Sequence, residues 1–188
     1  MTATTSSPEQ YHLKPTPHVP NSDLPVLVYR NVLPKPYEED SASHFLEANN
    51  WEKRGTWGTI KIRHFHPNSH ECYGIFRGQS VLLLGEGHSD ASGGERISVS
   101  AGDVVVLPAG TAHSSVTSTD DYRYVGVYPK GCPRWRNELG IKPIVGQTMR
   151  EEVEAVSIPD HDPVMGFDGP LPRLWRMRRN KRVGMAKL

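Results

Sequence analysis

The sequence predicts a mainly all-β protein, folded as one sandwich or barrel. Short strand-like runs follow one another between residues 57 and 128, and turn-forming residues separate them. No strong helical pattern interrupts these runs, which argues against a parallel α/β fold. The 188 residues are enough for one domain with a proper core.

The N-terminal part predicts an arm, a strand and a helix. Residues 1–22 are rich in Ser, Thr and Pro, which is typical of a flexible, extended arm. A first strand is predicted over residues 25–29. A helix is predicted over residues 37–49, because Pro36 suits a helix start and the acidic residues after it suit the positive end of the helix dipole.

The β region is predicted as seven strands. They are Thr59–His66, Glu71–Phe76, Val81–Gly85, Arg96–Val99, Val104–Leu107, Ser114–Thr117 and Tyr122–Tyr128. Residues 129–172 are loop-rich, with one short helix expected near Arg134–Leu139. We therefore predict a single domain over residues 23–172, with its motif core at 57–128, and a basic C-terminal tail at 173–188.

Composition and charge exclude several classes of function. No apolar run approaches membrane-spanning length, and the N-terminus shows no secretory signal. The two cysteines make a poor disulfide framework, so we expect an intracellular, reducing compartment. Residues 173–188 hold seven Lys and Arg and no acidic residue. We interpret them as a solvated, mobile end, and we do not expect a nucleic-acid partner because no recognition motif accompanies them.

Two histidines lie at the end of an apolar stripe. Residues two apart on a strand share one face, so Ile60, Ile62, His64 and His66 are predicted to point the same way. A single histidine on an apolar face is usually a hydrogen-bonded core residue. Two of them together are harder to explain as core, because burying unpaired imidazoles is costly.

A carboxylate and a third histidine complete a candidate metal site. Glu71 opens the next strand and is predicted to face the same interior as Tyr73 and Ile75. His113 follows a turn at residues 108–112. Three neutral imidazoles and one carboxylate satisfy four positions of a divalent first-row metal, with Mn or Fe favoured and Ni or Zn feasible. An octahedral ion would keep two positions for water, oxygen or substrate.

Other residues near these positions are open to two interpretations. His70 could be a substitute ligand or proton shuttle, but we favour a rim histidine bonded to backbone. Thr117 and Tyr73 could each face the site or pack in the core, and Trp135 could close the opening or pack outside. Cys72 has the opposite parity to Glu71 and is predicted to be a buried small hydrophobe.

The spacing of these residues resembles the paired motifs of the cupin superfamily. Gly58-x5-His64-x-His66-x4-Glu71-x6-Gly78 matches the first motif, and Gly102-x5-Pro108-x-Gly110-x2-His113 matches the second. The one departure is Thr117, where the family usually has Asn. The resemblance implies a double-stranded β-helix (a jelly-roll, RmlC-like barrel) with metal ligands at His64, His66, Glu71 and His113.

Roughly residues 19 to 175 further resemble the YjlB-like single-cupin branch. The stretches LPVLVYRNV, HFHPNSHECYGIFRGQS, GDVVVLPAGTAHSSV, YRYVGVYP and DPVMGFDGPLPRLW carry this resemblance. The branch implies a fold and a metal site but no substrate. Our first hypothesis is a mononuclear-metal enzyme of oxygenase, decarboxylase or isomerase type acting on a small organic molecule. The alternative is a cupin that binds a metal or small ligand without turnover.

Two further expectations concern assembly and location. A single barrel leaves edge strands open, so we expect a homodimer in which the chain around Val26–Tyr29 pairs with a second subunit. The terminal Ala186-Lys187-Leu188 resembles a peroxisomal address, which would apply in a eukaryote; otherwise we expect the cytoplasm.

Overall fold

The computed structural model describes residues 7–185, and its elements form two main antiparallel sheets, one short hairpin and three helices. The strands are β1 Glu9–Tyr11, β2 Val26–Tyr29, β3 Trp51–Trp57, β4 Glu71–Arg77, β5 Gln79–Leu84, β6 Glu95–Ser100, β7 Val104–Leu107, β8 His113–Ser118, β9 Arg123–Pro129, β10 His161–Asp162 and β11 Gly166–Phe167. The helices are α1 Glu39–Glu47, α2 Thr148–Ala155 and α3 Pro170–Met185.

The two sheets enclose the interior in the manner of a jelly roll. The larger sheet has the order β1-β2-β7-β4-β9-β3, and the smaller has the order β6-β5-β8. β10 and β11 form a separate hairpin. This architecture confirms the predicted fold class: the protein is mostly β, with one helix near the N-terminus. Within the described residues, no helix is long and apolar enough to cross a membrane.

The larger sheet is buried on both faces, which explains its continuous apolar strands. In β7, Val105 and Leu107 point into the barrel, whereas Val104 and Val106 point towards α1 and α3. The same alternation in β4 places Tyr73 and Ile75 inside the barrel and Cys72 in the outer core. The expectation that Cys72 is a buried hydrophobe is therefore confirmed.

The strand predicted at Thr59–His66 is wrong. Between residues 58 and 66 the structure has only isolated bridges, at His64 and Phe65, and Ile62 is 64% exposed. The strand lies earlier, at β3, where charged residues obscure the apolar alternation. The helix expected near residues 134–139 is also absent; those residues form an extended segment bridged to Phe65 through Glu138.

Both ends of the described chain pack more closely than predicted. β1 pairs with β2, and Val19 is fully buried, so the arm is held against the barrel from residue 9. The basic tail continues α3, and its Trp175 is fully buried, so the expectation of a solvated end is wrong for that face of the helix. Residues 186–188, with the predicted peroxisomal address, lie outside the described residues.

The strand chosen for dimerisation is not available as an edge. β2 is paired on one side with β1 and on the other with β7. Among the described strands, the larger sheet instead ends at β1 and β3. Homodimerisation stays a prediction, and β1 and β3 are the edges that the larger sheet offers to it.

Candidate metal centre

Three histidines converge at one end of the barrel interior. His64 and His66 come from the segment before β4, and His113 opens β8. One ring nitrogen from each lies within 4.8 Å of the other two, and all three residues are buried. The structure thus brings together the three histidines that the sequence predicted.

Backbone pairing places the rings. His64 and His113 form an antiparallel bridge, with N–H···O distances of 3.2 and 2.9 Å in the two directions. Before His113, Gly110 has φ of +80°, which favours glycine, and its N–H donates to the His66 carbonyl at 2.8 Å. A tight turn therefore ties the end of one motif to the other.

Each imidazole is fixed through its Nδ1 atom. Nδ1 of His64 donates to the Ile62 carbonyl at 2.8 Å, and Nδ1 of His113 donates to the Thr111 carbonyl at 3.0 Å. Nδ1 of His66 donates to the Arg136 carbonyl at 3.0 Å. Because a carbonyl only accepts, Nδ1 carries the proton and the Nε2 lone pair of the neutral ring faces the centre.

Glu71 adds a carboxylate to the cluster. Its Oε2 lies 3.1 Å from Nε2 of His66 and 3.2 Å from Nε2 of His113. Its Oε1 accepts a 2.5 Å hydrogen bond from the Tyr128 hydroxyl. Strand parity had predicted that Glu71 faces the interior with Tyr73, and the structure places it there, 4% exposed.

The donor atoms suit a divalent metal. Nε2 of His113 is buried and makes no hydrogen bond of acceptable geometry among the described residues, although the carboxylate is close. An orphaned lone pair beside a carboxylate and two further imidazoles is costly unless a cation is shared between them. The residues present therefore fit the metal that the cupin resemblance implies.

Burial and the carboxylate act on the pKa values in opposite directions. Burial, with a smaller contribution from the nearby His113, lowers the pKa of His64 to about 3. Burial also disfavours charge on His66, but the hydrogen bond to Glu71 and the charge of Glu71 outweigh it and raise the pKa of His66. For Glu71, the contacts with His113 and His66 outweigh burial and hold its pKa below the usual range.

His70 is directed away from the centre. It is 1% exposed; its Nδ1 accepts from the Ala109 N–H at 2.9 Å, and its Nε2 donates to the Ser157 carbonyl at 3.2 Å. Burial lowers its pKa to about 3. The preferred interpretation, a histidine bonded to backbone, is confirmed, but the residue is buried beside Trp175 rather than at a rim.

Thr117 does not face the barrel. A bulge in β8 pairs Leu82 with Ser115 but Val81 with Thr117, so the parity changes between these residues and Thr117 is exposed. The expectation that it orients a ligand or packs inside is therefore wrong.

The site has aromatic neighbours that the sequence prediction did not place. Tyr128 and Trp135 stack at 4.9 Å between ring centroids, and the Trp135 ring lies 6.3 Å from that of His66. Trp57 lies against Tyr124 and Trp135, with 6.0 Å between centroids in each pair. Its indole fits over Gly126, where a Cβ atom would come within 2.1 Å of the ring.

Comparisons with known proteins find one bacterial relative over most of the chain and solved structures that are similar over part of it. No family model matches the chain. The chain is 28% identical to the Bacillus subtilis protein YjlB, which is described as uncharacterized, over 84% of this chain and 90% of YjlB. Similar solved structures include a variant of Bacillus subtilis oxalate decarboxylase (15% identity, TM-score 0.38, 64% of this chain and 29% of that chain). Another is an 11S globulin from Wrightia tinctoria (16% identity, TM-score 0.36, 47% of this chain and 21% of that chain). This chain spans less than a third of either structure.

Proposed function

We propose that this chain, a cupin-fold relative of YjlB, binds one divalent transition metal ion and is a mononuclear-metal enzyme acting on a small organic molecule. The ligands would be His64, His66, His113 and Glu71. The observation that carries the proposal is the convergence of three Nε2 atoms whose Nδ1 partners are all backbone carbonyls.

The donor set narrows the choice of metal and leaves three types of reaction open. Three imidazoles with one carboxylate favour Mn or Fe, and Ni or Zn are feasible. When bound, such a metal supplies Lewis acidity to a substrate carbonyl, carboxylate or enolate, or a place for oxygen beside the substrate. Oxygenase, decarboxylase and isomerase reactions are all compatible with this chemistry.

The residues around the centre would orient the ligands and hold protons. Burial and the charge of Glu71 raise the pKa of Tyr128 far above its usual range, so its hydroxyl keeps its proton and donates to Oε1. This leaves Oε2 turned towards His66 and His113. In an isomerase or decarboxylase, Glu71 would have to leave the metal to act as the base, and its lowered pKa makes it a weak one.

Elemental analysis tests the metal site. Wild type, His64→Ala and a control, His44→Ala on the exposed face of α1, are purified under the same conditions and their metals quantified by mass spectrometry. We expect about one Mn or Fe per chain in wild type and the control, and loss in His64→Ala. Equal metal content in all three proteins would contradict the site.

Turnover separates an enzyme from a non-catalytic binding protein. The metal-loaded wild type and His64→Ala are incubated with a cell metabolite extract, in air and without oxygen, and compounds are followed by mass spectrometry. An enzyme consumes at least one compound that the variant leaves intact. A metal-loaded protein that changes no compound would favour the binding protein.

A further inference from the structure

A small cavity opens beside the candidate metal centre. Its volume is about 320 Å³, and His64, His66 and Glu71 form one wall. Aromatic side chains form much of the remainder, namely Trp57, Tyr73, Tyr124, Tyr128 and Trp135. Aliphatic side chains complete the apolar lining, namely Ile60, Ile62 and Leu139. The metal would therefore face a predominantly apolar space.

The aromatic walls are held rigid by one another. Tyr73 and Tyr124 stack with centroids 4.0 Å apart and an interplanar angle of 30°. Tyr128 and Trp135 stack with an interplanar angle of 12°, and Trp57 meets Trp135 edge-on at 87°. Flat walls of this kind favour a flat occupant, because aromatic rings gain most from stacked or edge-to-face contacts.

The mouth of the cavity is also apolar. Ile62 is 64% exposed and Leu139 is 38% exposed, and both line the opening. Large exposed aliphatic residues grouped beside a cavity are typical of a surface that receives an apolar molecule. Because Ile60 and Ile62 line the cavity, they are apolar although neither residue is on a core strand.

The described lining holds no lysine or arginine, so it offers no partner for a second negative charge. Two neighbouring arginines are engaged elsewhere, and exposed Arg134, whose guanidinium carbon lies 5.8 Å from the Trp135 ring centroid, is not part of the lining. Arg54 pairs with Glu52 and donates to the carbonyls of Cys132 and Pro133, and Arg136 pairs with Glu152. A carboxylate placed against these walls would lose its hydration without a counter-charge, which is strongly unfavourable.

On the premise of the proposed metal site, we propose that the substrate is a small, flat, predominantly apolar molecule of about one ring, with a single oxygen-bearing end directed at the metal. A dicarboxylate does not fit this lining. The volume agrees, since an apolar cavity of roughly 150 Å³ already admits benzene. Asn137 is the side-chain amide of the lining and can make one hydrogen bond to the substrate.

Three hydroxamate probes test this proposal by binding alone. Acetohydroxamate and benzohydroxamate present the same chelating end to a metal, but only the second carries a ring. In 4-carboxybenzohydroxamate, a carboxylate is added at the far end of that ring. Dissociation constants are measured by calorimetry on the metal-loaded full chain. We expect the ring to tighten binding at least about tenfold and the added carboxylate to cancel most of that gain.

Variants assign the effect to the aromatic walls. Trp135→Ala should keep the metal but lose most of the ring's gain, and Trp135→Phe should keep much of it. Phe167→Ala removes an aromatic side chain that is 74% exposed and lies outside the lining, so it should change nothing. The acetohydroxamate constant serves as the internal control, because that probe has no ring to contact Trp135.

If the metal loads but the two simple probes bind equally, or the added carboxylate tightens binding, the substrate class is wrong and the metal site stands. Tighter binding of the carboxylate probe that is lost in Arg134→Ala would place that exposed arginine at the far end of the ring and overturn the proposal. If no metal loads in wild type, the proposed function itself fails.

Discussion

At the scale of single residues, the chemistry depends on which nitrogen of each histidine is committed to the backbone. His64, His66 and His113 give Nδ1 to carbonyl oxygens and turn Nε2 inwards. His70, one residue from Glu71, uses both nitrogens on the backbone and has none left for a metal. Residue type alone does not separate these two cases.

The raised pKa of His66 predicts that metal binding depends on pH. With Nδ1 donating to Arg136, the contact of Nε2 with Glu71 is strongest when His66 is an imidazolium. The proton and the metal compete for the same lone pair, so affinity should fall by up to about tenfold per pH unit below that pKa and level off above it. Titration calorimetry from pH 6 to pH 8, in buffers of different ionisation enthalpy, measures both the affinity and the proton released.

Glu71→Gln provides the control for this pH dependence. It removes the charge that raises the pKa of His66, so burial should then dominate and proton release at pH 7 should shrink. If the metal affinity of wild type is constant from pH 6 to pH 8 and no proton is released, the raised pKa of His66 is contradicted.

Tyr128→Phe is predicted to weaken metal binding without unfolding the protein. The variant removes the hydroxyl that holds Oε1 of Glu71 but keeps the ring that stacks on Trp135. Loss of such a supporting hydrogen bond typically costs about 10–100-fold in metal affinity. Tyr11→Phe, which loses a hydrogen bond to Glu9 on β1, should leave the affinity at its wild-type value. The same affinity in both variants would show that Tyr128 does not position Glu71.

The candidate ligands could be predicted from the sequence, but their supporting residues were missed. The motif spacing identifies His64, His66, Glu71 and His113; strand parity holds for Glu71 on β4, whereas the strand assumed for His64 and His66 is absent. A usable signal also existed for Tyr128, since Tyr124 and Tyr128 share one parity on β9 and so one face. Trp135 gave no such signal, because it lies on an irregular segment whose position depends on distant contacts.

At the scale of elements, residues 132–139 form a cover segment over the site. The segment is bridged to Phe65 through Glu138, with N–H···O distances of 2.8 and 2.9 Å. Asn68 anchors it twice: Nδ2 donates to the Arg134 carbonyl and Oδ1 accepts from the Arg136 N–H, both at 2.9 Å. Because the Arg136 carbonyl holds His66, the cover segment also orients a candidate ligand.

Asn68→Ala is predicted to loosen the cover segment and raise the metal dissociation constant about tenfold. The bridge to Phe65 remains, so the fold should be retained. Asn68→Asp keeps the oxygen that anchors Arg136 and should have a smaller effect. Calorimetry gives the dissociation constants, and hydrogen exchange over residues 132–139 reports the loosening. Slower or unchanged exchange in Asn68→Ala would contradict the anchoring role.

The sequence predicts the regular strands well and the irregular parts poorly. β2, β4, β7 and β9 have continuous apolar runs because both faces of their sheet are buried. β3 was missed because its half-buried positions carry Glu, Lys and Arg. The cover segment has no periodicity at all, since backbone bridges and one asparagine fix it rather than an apolar face.

At the scale of the whole molecule, the C-terminal helix is part of the core. Trp175 is fully buried in the outer core, and its indole N–H donates to the Pro25 carbonyl at 3.0 Å. Asp162 is fully buried and accepts hydrogen bonds from Tyr29 and from the N–H groups of Val164, Met165 and Leu171. The start of α3 is thereby fixed to the larger sheet.

Trp175→Ala is predicted to lower the free energy of unfolding by about 3–5 kcal/mol. Met177 lies on the same helix but is 51% exposed, so Met177→Ala should change it by no more than about 0.5 kcal/mol. Urea unfolding followed by circular dichroism measures both. Similar stabilities for the two variants would show that α3 does not contribute to the core.

The central claim is that His64, His66 and His113, with Glu71, hold one metal ion. Anomalous diffraction from crystals of the Zn²⁺-loaded protein tests it most directly. We predict a single strong peak about 2.0–2.2 Å from the three Nε2 atoms and from a Glu71 oxygen. A peak located elsewhere, such as beside His70, or no peak at the three histidines, would contradict the account.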